Sequence, residues 1–214
     1  MRQAPSTLAE EFGEIDIYLF DQLLRSRISP EMAVLDAGCG SGRNLVYLLR
    51  SGYEVMGVDE APAAIDAVRR LADELAPHLP ATNFRVEPVE KMTFPDAAAD
   101  VVIGNAVLHF ARDERHFRAM LDEMWRVLGP GGMLFCRLAS TIGMEGRFRP
   151  ISGRRFQLLD GSERFLVDEA MLIDATVRLG GELLDPLKTT VVQNLRCMTT
   201  WVLRKPATAM RKGA

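Results

Sequence analysis

The stretch VLDAGCGSGRN, Val34 to Asn44, sets glycines at alternate positions, Gly38, Gly40 and Gly42, just after the carboxylate of Asp36. Without a Cβ, such residues let the backbone turn tightly and let a ligand approach it closely. The helix expected next begins with free N–H groups. Asp59 follows Gly42 by 17 positions, about one helix plus one strand, at the expected end of the second strand. An acid there can accept hydrogen bonds from two ribose hydroxyls. A dinucleotide-binding turn, G-x-G-x-x-G, requires a third glycine at position 43. That position holds Arg43. A buried acid at Asp36 would repel a pyrophosphate but suits a cationic amino group. The pattern therefore favours a nucleoside that carries an amino acid.

Strands and helices must alternate to position these groups. MAVLDAG, YEVMGVD, NFRVE, ADVVIGN and GMLFCRL are short apolar runs that predict five strands. Between them, SGRNLVYLLRSG predicts a helix with Ser41 as its cap and Gly52 as its stop. APAAIDAVRRLADELA predicts another, with Pro62 near its start and Pro77 just past its end. In DERHFRAMLDEMWRVLG, the residues Phe117, Met120, Leu121, Met124, Trp125 and Leu128 form an apolar stripe at helical spacing, which GPGG then breaks. Ile15, Leu19, Leu23 and Leu24 place a helix near the N-terminus, after a dozen residues that read as loose. Alternation through residue 138 implies a mostly parallel sheet with helices on both faces. After a further helix at DEAMLIDATVRLG, the runs LKTTVVQ and CMTTWVLR lie too close together for a crossover, so they are expected to pair antiparallel. Residues 139–167 form an excursion, with Asp160-Gly161 as a two-residue hairpin turn.

The 214 residues suit one domain. With 48% apolar and 26% charged residues, the chain reads as a soluble globular protein. A net charge of −3 shows no general attraction to nucleic acid or an anionic membrane. Cys39, Cys136 and Cys197 are odd in number and lack C-x-x-C spacing, which argues against a disulfide framework, a structural zinc site or thiol capture of a metalloid. No leader-like or membrane-spanning apolar run is present, so the expected compartment is a reducing cytoplasm.

VLDAGCGSGRN resembles the first motif of the class I S-adenosylmethionine-dependent methyltransferases. VDEAP resembles their second motif, FPDAAADVVIGNAVLHF the fourth-strand motif, and MLDEMWRVLGPGGMLFCRL the helix, turn and fifth strand that follow. GSGRN is also similar to the tellurite-resistance type of small-molecule methyltransferase. The resemblance implies an α/β fold with a seven-stranded, mostly parallel Rossmann-like sheet and an antiparallel C-terminal hairpin. It implies S-adenosylmethionine as cofactor, S-adenosylhomocysteine as product and in-line methyl transfer to a small molecule. Gly38 and Gly40 would then pass close to the methionine part, with Asp36 in support. Asp59 would hold the ribose, Glu60 would sit beside the adenine, and Asn105 and Ala106 would contact the amino group. Many members carry an Asp after the third strand to bind the adenine amino group. Here Pro88 stands in its place, which leaves the Val89 backbone for that edge, with Glu87 or Glu90 nearby.

His109 closes NAVLHF, beyond the fourth strand, where the resemblance implies that the methyl group faces. It could serve as a general base, or it could simply pack in the turn. From Arg137 through the excursion, six arginines against three acids leave a net charge of +3 in an otherwise acidic chain. Arginine suits carboxylate and phosphate, so the excursion reads as a lid for an anionic substrate, with Arg147 and Arg149 beside Gly143 and Gly146 foremost. The alternative is a solvated hairpin with locally paired arginines. Residues 1–29 read as a helical cap in which Phe12 or Tyr18 covers the cofactor, or as a helix packed on the sheet edge.

Nucleic-acid substrates are disfavoured, because GNAV replaces the Pro-Pro-aromatic tetrapeptide, no Pro-Cys pair occurs and no basic stripe with aromatics is present. No membrane partner is expected, and the chain reads as a monomer or homodimer. Two other functions share the glycine turn: a non-catalytic sensor of S-adenosylmethionine, and a nicotinamide-dependent oxidoreductase, which Arg43 and the terminal hairpin oppose.

Overall fold

A computed structural model describes residues 7–207, which fall into two compact units divided between Val89 and Glu90. In the first unit, helix α1 (Leu8–Phe12) replaces part of the expected loose start; residues 1–6 of that start lie outside the described residues. A capping box creates it: Glu10 N–H donates to Thr7 Oγ1 at 3.2 Å, and Thr7 N–H donates to Glu10 Oε2 at 2.8 Å. Phe12 stacks on Tyr47 with ring centroids 4.9 Å apart. Helix α2 (Ile17–Leu24) is capped by Asp16 and buries Leu19 and Gln22, while Leu24 stays 68% exposed.

Strands β1 (Ala33–Ala37), β2 (Glu54–Asp59) and β3 (Phe84–Val86) pair in that order, all parallel. Val34, Leu35, Val55 and Val58 are buried, as expected for parallel strands covered on both faces. Helix α3 is only Val46–Arg50 and Ser41 does not cap it. Gly40 and Gly42 adopt left-handed backbone with φ of +53° and +84°, so the chain makes successive turns before it can become helical. Helix α4 (Pro62–Leu75) starts on Pro62 and ends before Pro77, as the sequence predicts.

In the second unit, β4 (Ala99–Asn105) leads through helix α5 (Glu114–Val127) to the parallel strand β5 (Leu128–Ser140). Phe117, Met120, Leu121 and Met124 form the buried side of α5; full burial of such side chains contributes roughly 1.5–3 kcal/mol each. GPGG belongs to the start of β5, and a Cβ on Gly132 would lie 2.6 Å from the Asp100 carbonyl oxygen. Only glycine therefore lets the two backbones pass there.

The excursion is a three-stranded antiparallel sheet rather than a hairpin: β6 (Arg149–Ser152), β7 (Arg155–Gln157) and β8 (Glu163–Phe165). The last two join through residues 158–162, longer than a two-residue turn, with Gly161 at φ +83°. Its side chains Met144, Phe148, Leu158 and Leu166 are buried with Ala139 and Cys197 in one small core. Helix α6 (Glu169–Leu179) and the two-residue strand β9 (Glu182–Leu183) follow. The chain closes with the antiparallel pair β10 (Lys188–Val192) and β11 (Arg196–Arg204), and β11 also pairs antiparallel with β5. Five strands with parallel partners and an antiparallel C-terminal hairpin make the expected α/β class. Among the described residues, no helix is long and apolar enough to cross a membrane.

Candidate functional site

In the first unit the glycine turn is tied to the end of β2 from both sides. The N–H groups of Gly38 and Cys39 donate to the Val58 carbonyl at 2.8 and 2.9 Å. Asp59 accepts from Gly40 N–H at 3.0 Å through one oxygen and from Ala61 N–H at 2.9 Å through the other. Asp59 therefore organises the turn. A carboxylate oxygen has two lone-pair sites, so each retains capacity for a hydroxyl donor. Beyond its chain neighbours, no atom of the described residues lies within 4 Å of where a Cβ on Gly40 would project. Glu60 is exposed beside Asp59, and Val89 is buried at the end of the unit.

Asp36 is 1% exposed, and among the described residues neither of its oxygens meets a donor at full hydrogen-bond geometry, with the Asn44 amide the polar group nearby. Burial raises its pKa to about 7; exposed Arg43 and the nearby Asn44 amide pull down, and Asp59 pushes up. Asn44 also accepts the Asp16 N–H at 3.1 Å, which fastens the N-terminal segment to the turn. An unpartnered buried carboxylate costs free energy until a cation or donor reaches it. The cationic amino group of an amino acid fits that need. Cys39 is inert by comparison: burial, Asp36 and Asp59 all push its thiol upward.

In the second unit, Asn105 is buried at the exit of β4, and Ala106 holds φ +63°, an uncommon conformation for a residue with a Cβ. Its N–H donates to the Arg137 carbonyl at 2.8 Å, which holds the bend in place. Three residues on, His109 is 6% exposed, and its Nδ1 accepts the Ala139 N–H at 3.3 Å. Burial, then Arg164, Arg196 and Arg137, lower its pKa to about 3. The ring is neutral at physiological pH with its proton on Nε2, so it presents a donor rather than a base. Arg147 and Arg149 are exposed. The arginines whose charge His109 feels most include Arg196, which sequence reading passed over. Its signal was its place at the head of the last strand, the one that pairs with β5.

Residues 35–136 match the family model described as "Methyltransferase domain". Those residues, just under half of the chain, carry a methyltransferase domain of the class I, S-adenosylmethionine-dependent kind. It is 37% identical over 113 residues to the uncharacterized methyltransferase YodH of Bacillus subtilis, covering 52% of this chain and 45% of that protein. It is 33% identical over 112 residues to a malonyl-[acyl-carrier protein] O-methyltransferase of Serratia marcescens, covering 52% of this chain and 40% of the relative. The chain thus spans less than half the length of these two relatives. A crystal structure of a SAM-dependent methyltransferase from Methanosarcina mazei superposes with a TM-score of 0.68 at 22% identity, covering 87% of this chain and 98% of the other. That likeness establishes the methyltransferase fold, and the family brings S-adenosylmethionine as its cofactor.

Proposed function

We propose that this methyltransferase moves the methyl group of S-adenosylmethionine to a small-molecule acceptor by in-line displacement. The observation that carries the reading is the pairing of an unpartnered, buried Asp36 with a glycine turn held open by Asp59. Asp36 would receive the amino group, Gly38 and Gly40 would lie along the methionine part, and the free lone pairs of Asp59 would take the ribose hydroxyls. Glu60 and the Val89 backbone would flank the adenine, and Asn105 and Ala106 would contact the amino group. When bound, the cofactor supplies an activated methyl group; this chain's residues supply position and a field, worth about 7–11 kcal/mol when alignment is good. Three free, buried thiols suit a reducing cytoplasm.

Isothermal titration with S-adenosylhomocysteine and, separately, with NADH tests the reading. The first is expected to bind and the second not to. Asp59→Ala is expected to weaken S-adenosylhomocysteine at least tenfold, about 1.4 kcal/mol. Binding of NADH alone, or unchanged affinity in the variant, would reject it.

A further inference from the structure

The second unit carries a donor set separate from the residues assigned above to the methyl donor. His109 offers Nε2–H from a ring 94% shielded, because Ala139 N–H already occupies Nδ1. Nε2 itself makes no hydrogen bond among the described residues. Phe110, 59% exposed, lies edge-on to that ring with centroids 4.6 Å apart, and the Arg164 guanidinium sits 4.8 Å over the Phe110 ring. Among the described residues Arg164 makes no close ion pair: its Nη1 donates to the Glu163 carbonyl, the Glu163 carboxylate is taken by Arg155 at 2.8 Å, and Asp160 feels its charge at longer range. Among the described residues the Arg196 guanidinium pairs only with Asp160, at 3.6 Å. Two core contacts bring these elements together. Ala139, which bonds His109, shares a buried cluster with Leu158 and with Cys197, the neighbour of Arg196. Met198 also lies opposite Ala139 across the β5–β11 ladder.

We propose that His109, Arg164 and Arg196, with the charge of Arg137 added, form a recognition site for the oxyanion of a small acceptor that has an apolar body. The imidazole supplies one neutral N–H, the guanidiniums supply charge and paired donors suited to carboxylate or phosphate, and the exposed Phe110 ring supplies the apolar wall. Asp160 is the acid that an incoming anion replaces at Arg196. The word "acceptor" rests on the methyl-transfer reading; the anion site does not.

The full chain, with and without saturating S-adenosylhomocysteine, is titrated calorimetrically with 3-phenylpropanoate, phenyl phosphate and the neutral 3-phenylpropanamide. At least one anion is expected to bind roughly tenfold or more tightly than the amide, and which one binds names the headgroup. Arg164→Gln and Arg196→Gln are each expected to weaken that anion about fivefold or more, while S-adenosylhomocysteine affinity is unchanged. His109→Phe is expected to weaken it too, and His109→Gln, which keeps an N–H donor, to restore most of the loss. Equal binding of amide and anions, no binding of either anion, or unchanged affinity in both arginine variants overturns the site. Failure of S-adenosylhomocysteine to bind instead removes the methyl-transfer reading, and the titration without it still decides this one.

Discussion

The two units bury opposite electrostatic demands. In the first, Asp36 is an acid without a full hydrogen-bond partner among the described residues, and burial lifts its pKa to about 7. In the second, His109 is a base whose acceptor nitrogen is spent on Ala139, and burial plus arginines push its pKa to about 3. Desolvation disfavours the charged form in both cases, yet the outcomes diverge. The acid is left seeking a cation, and the imidazole becomes a neutral donor among cations, suited to an anion. A methyl donor with an ammonium group and an acceptor with an oxyanion would satisfy the two separately. In this arrangement the Nδ1 lone pair of His109 is engaged by Ala139 N–H, which favours a donor role at Nε2 over the general-base role.

The largest test of this contrast is in stability against pH. Folded Asp36 keeps a proton that the unfolded chain releases between about pH 4 and 7, so its contribution is complete below 4 and lost as pH rises to 7. Folded His109 refuses a proton that the unfolded chain takes up below about 6.5, so its contribution is complete above 6.5 and lost as pH falls toward 3. Each slope is at most roughly 1.4 kcal/mol per pH unit, and they oppose one another between pH 4 and 6.5. Urea unfolding of the wild-type chain there is expected to show these two contributions nearly cancelling. Asp36→Asn uncovers stability that rises with pH, and His109→Gln uncovers stability that falls. Long-range ¹H–¹⁵N spectra are expected to show His109 protonated on Nε2 alone at pH 5. Slopes unchanged in either variant, or an imidazolium at pH 5, would break the contrast.

A smaller effect sharpens the first unit alone. If Asp36 answers the cationic amino group, the ligand must meet the ionised acid. S-adenosylhomocysteine affinity is then expected to rise with pH between 5 and 7, by up to about tenfold per unit. In Asp36→Asn the same calorimetric titration is expected to be flat across that range. A parallel rise in the variant would assign the dependence to another group.

How much of this could be read from the chain follows the range of the interactions. The glycine turn, Asp59 and the α5 stripe were legible because each is local: a Cβ-free turn, a strand end, a 3.6-residue period. Ser41 failed as a cap for a local reason as well, since left-handed Gly40 and Gly42 on either side keep it in a turn. Strand β6 was hidden because Pro150 and Gly153 read as loop. The surroundings of His109 were not legible. Ala139 and Arg196 reach it through the β5–β11 pairing, whose register no short stretch reports.

Arg147 and Arg149 give the smallest expected effect, and it separates charge from place. Both lie in the excursion that the composition marks as basic, yet both are exposed, where salt screens a charge and holding a long side chain costs entropy. Arg164 is half-buried over Phe110, close enough to His109 to shift it. If net positive charge alone recruits the anion, Arg147→Gln with Arg149→Gln should match the loss caused by Arg164→Gln and should vanish in about 0.5 M salt. If the built donor set recruits it, the double variant is expected to cost no more than about threefold in anion affinity, near 0.6 kcal/mol, against a larger, salt-resistant loss for Arg164→Gln. Equal losses would return the recognition of the anion to the flexible arginines of the excursion and leave His109 a packing residue.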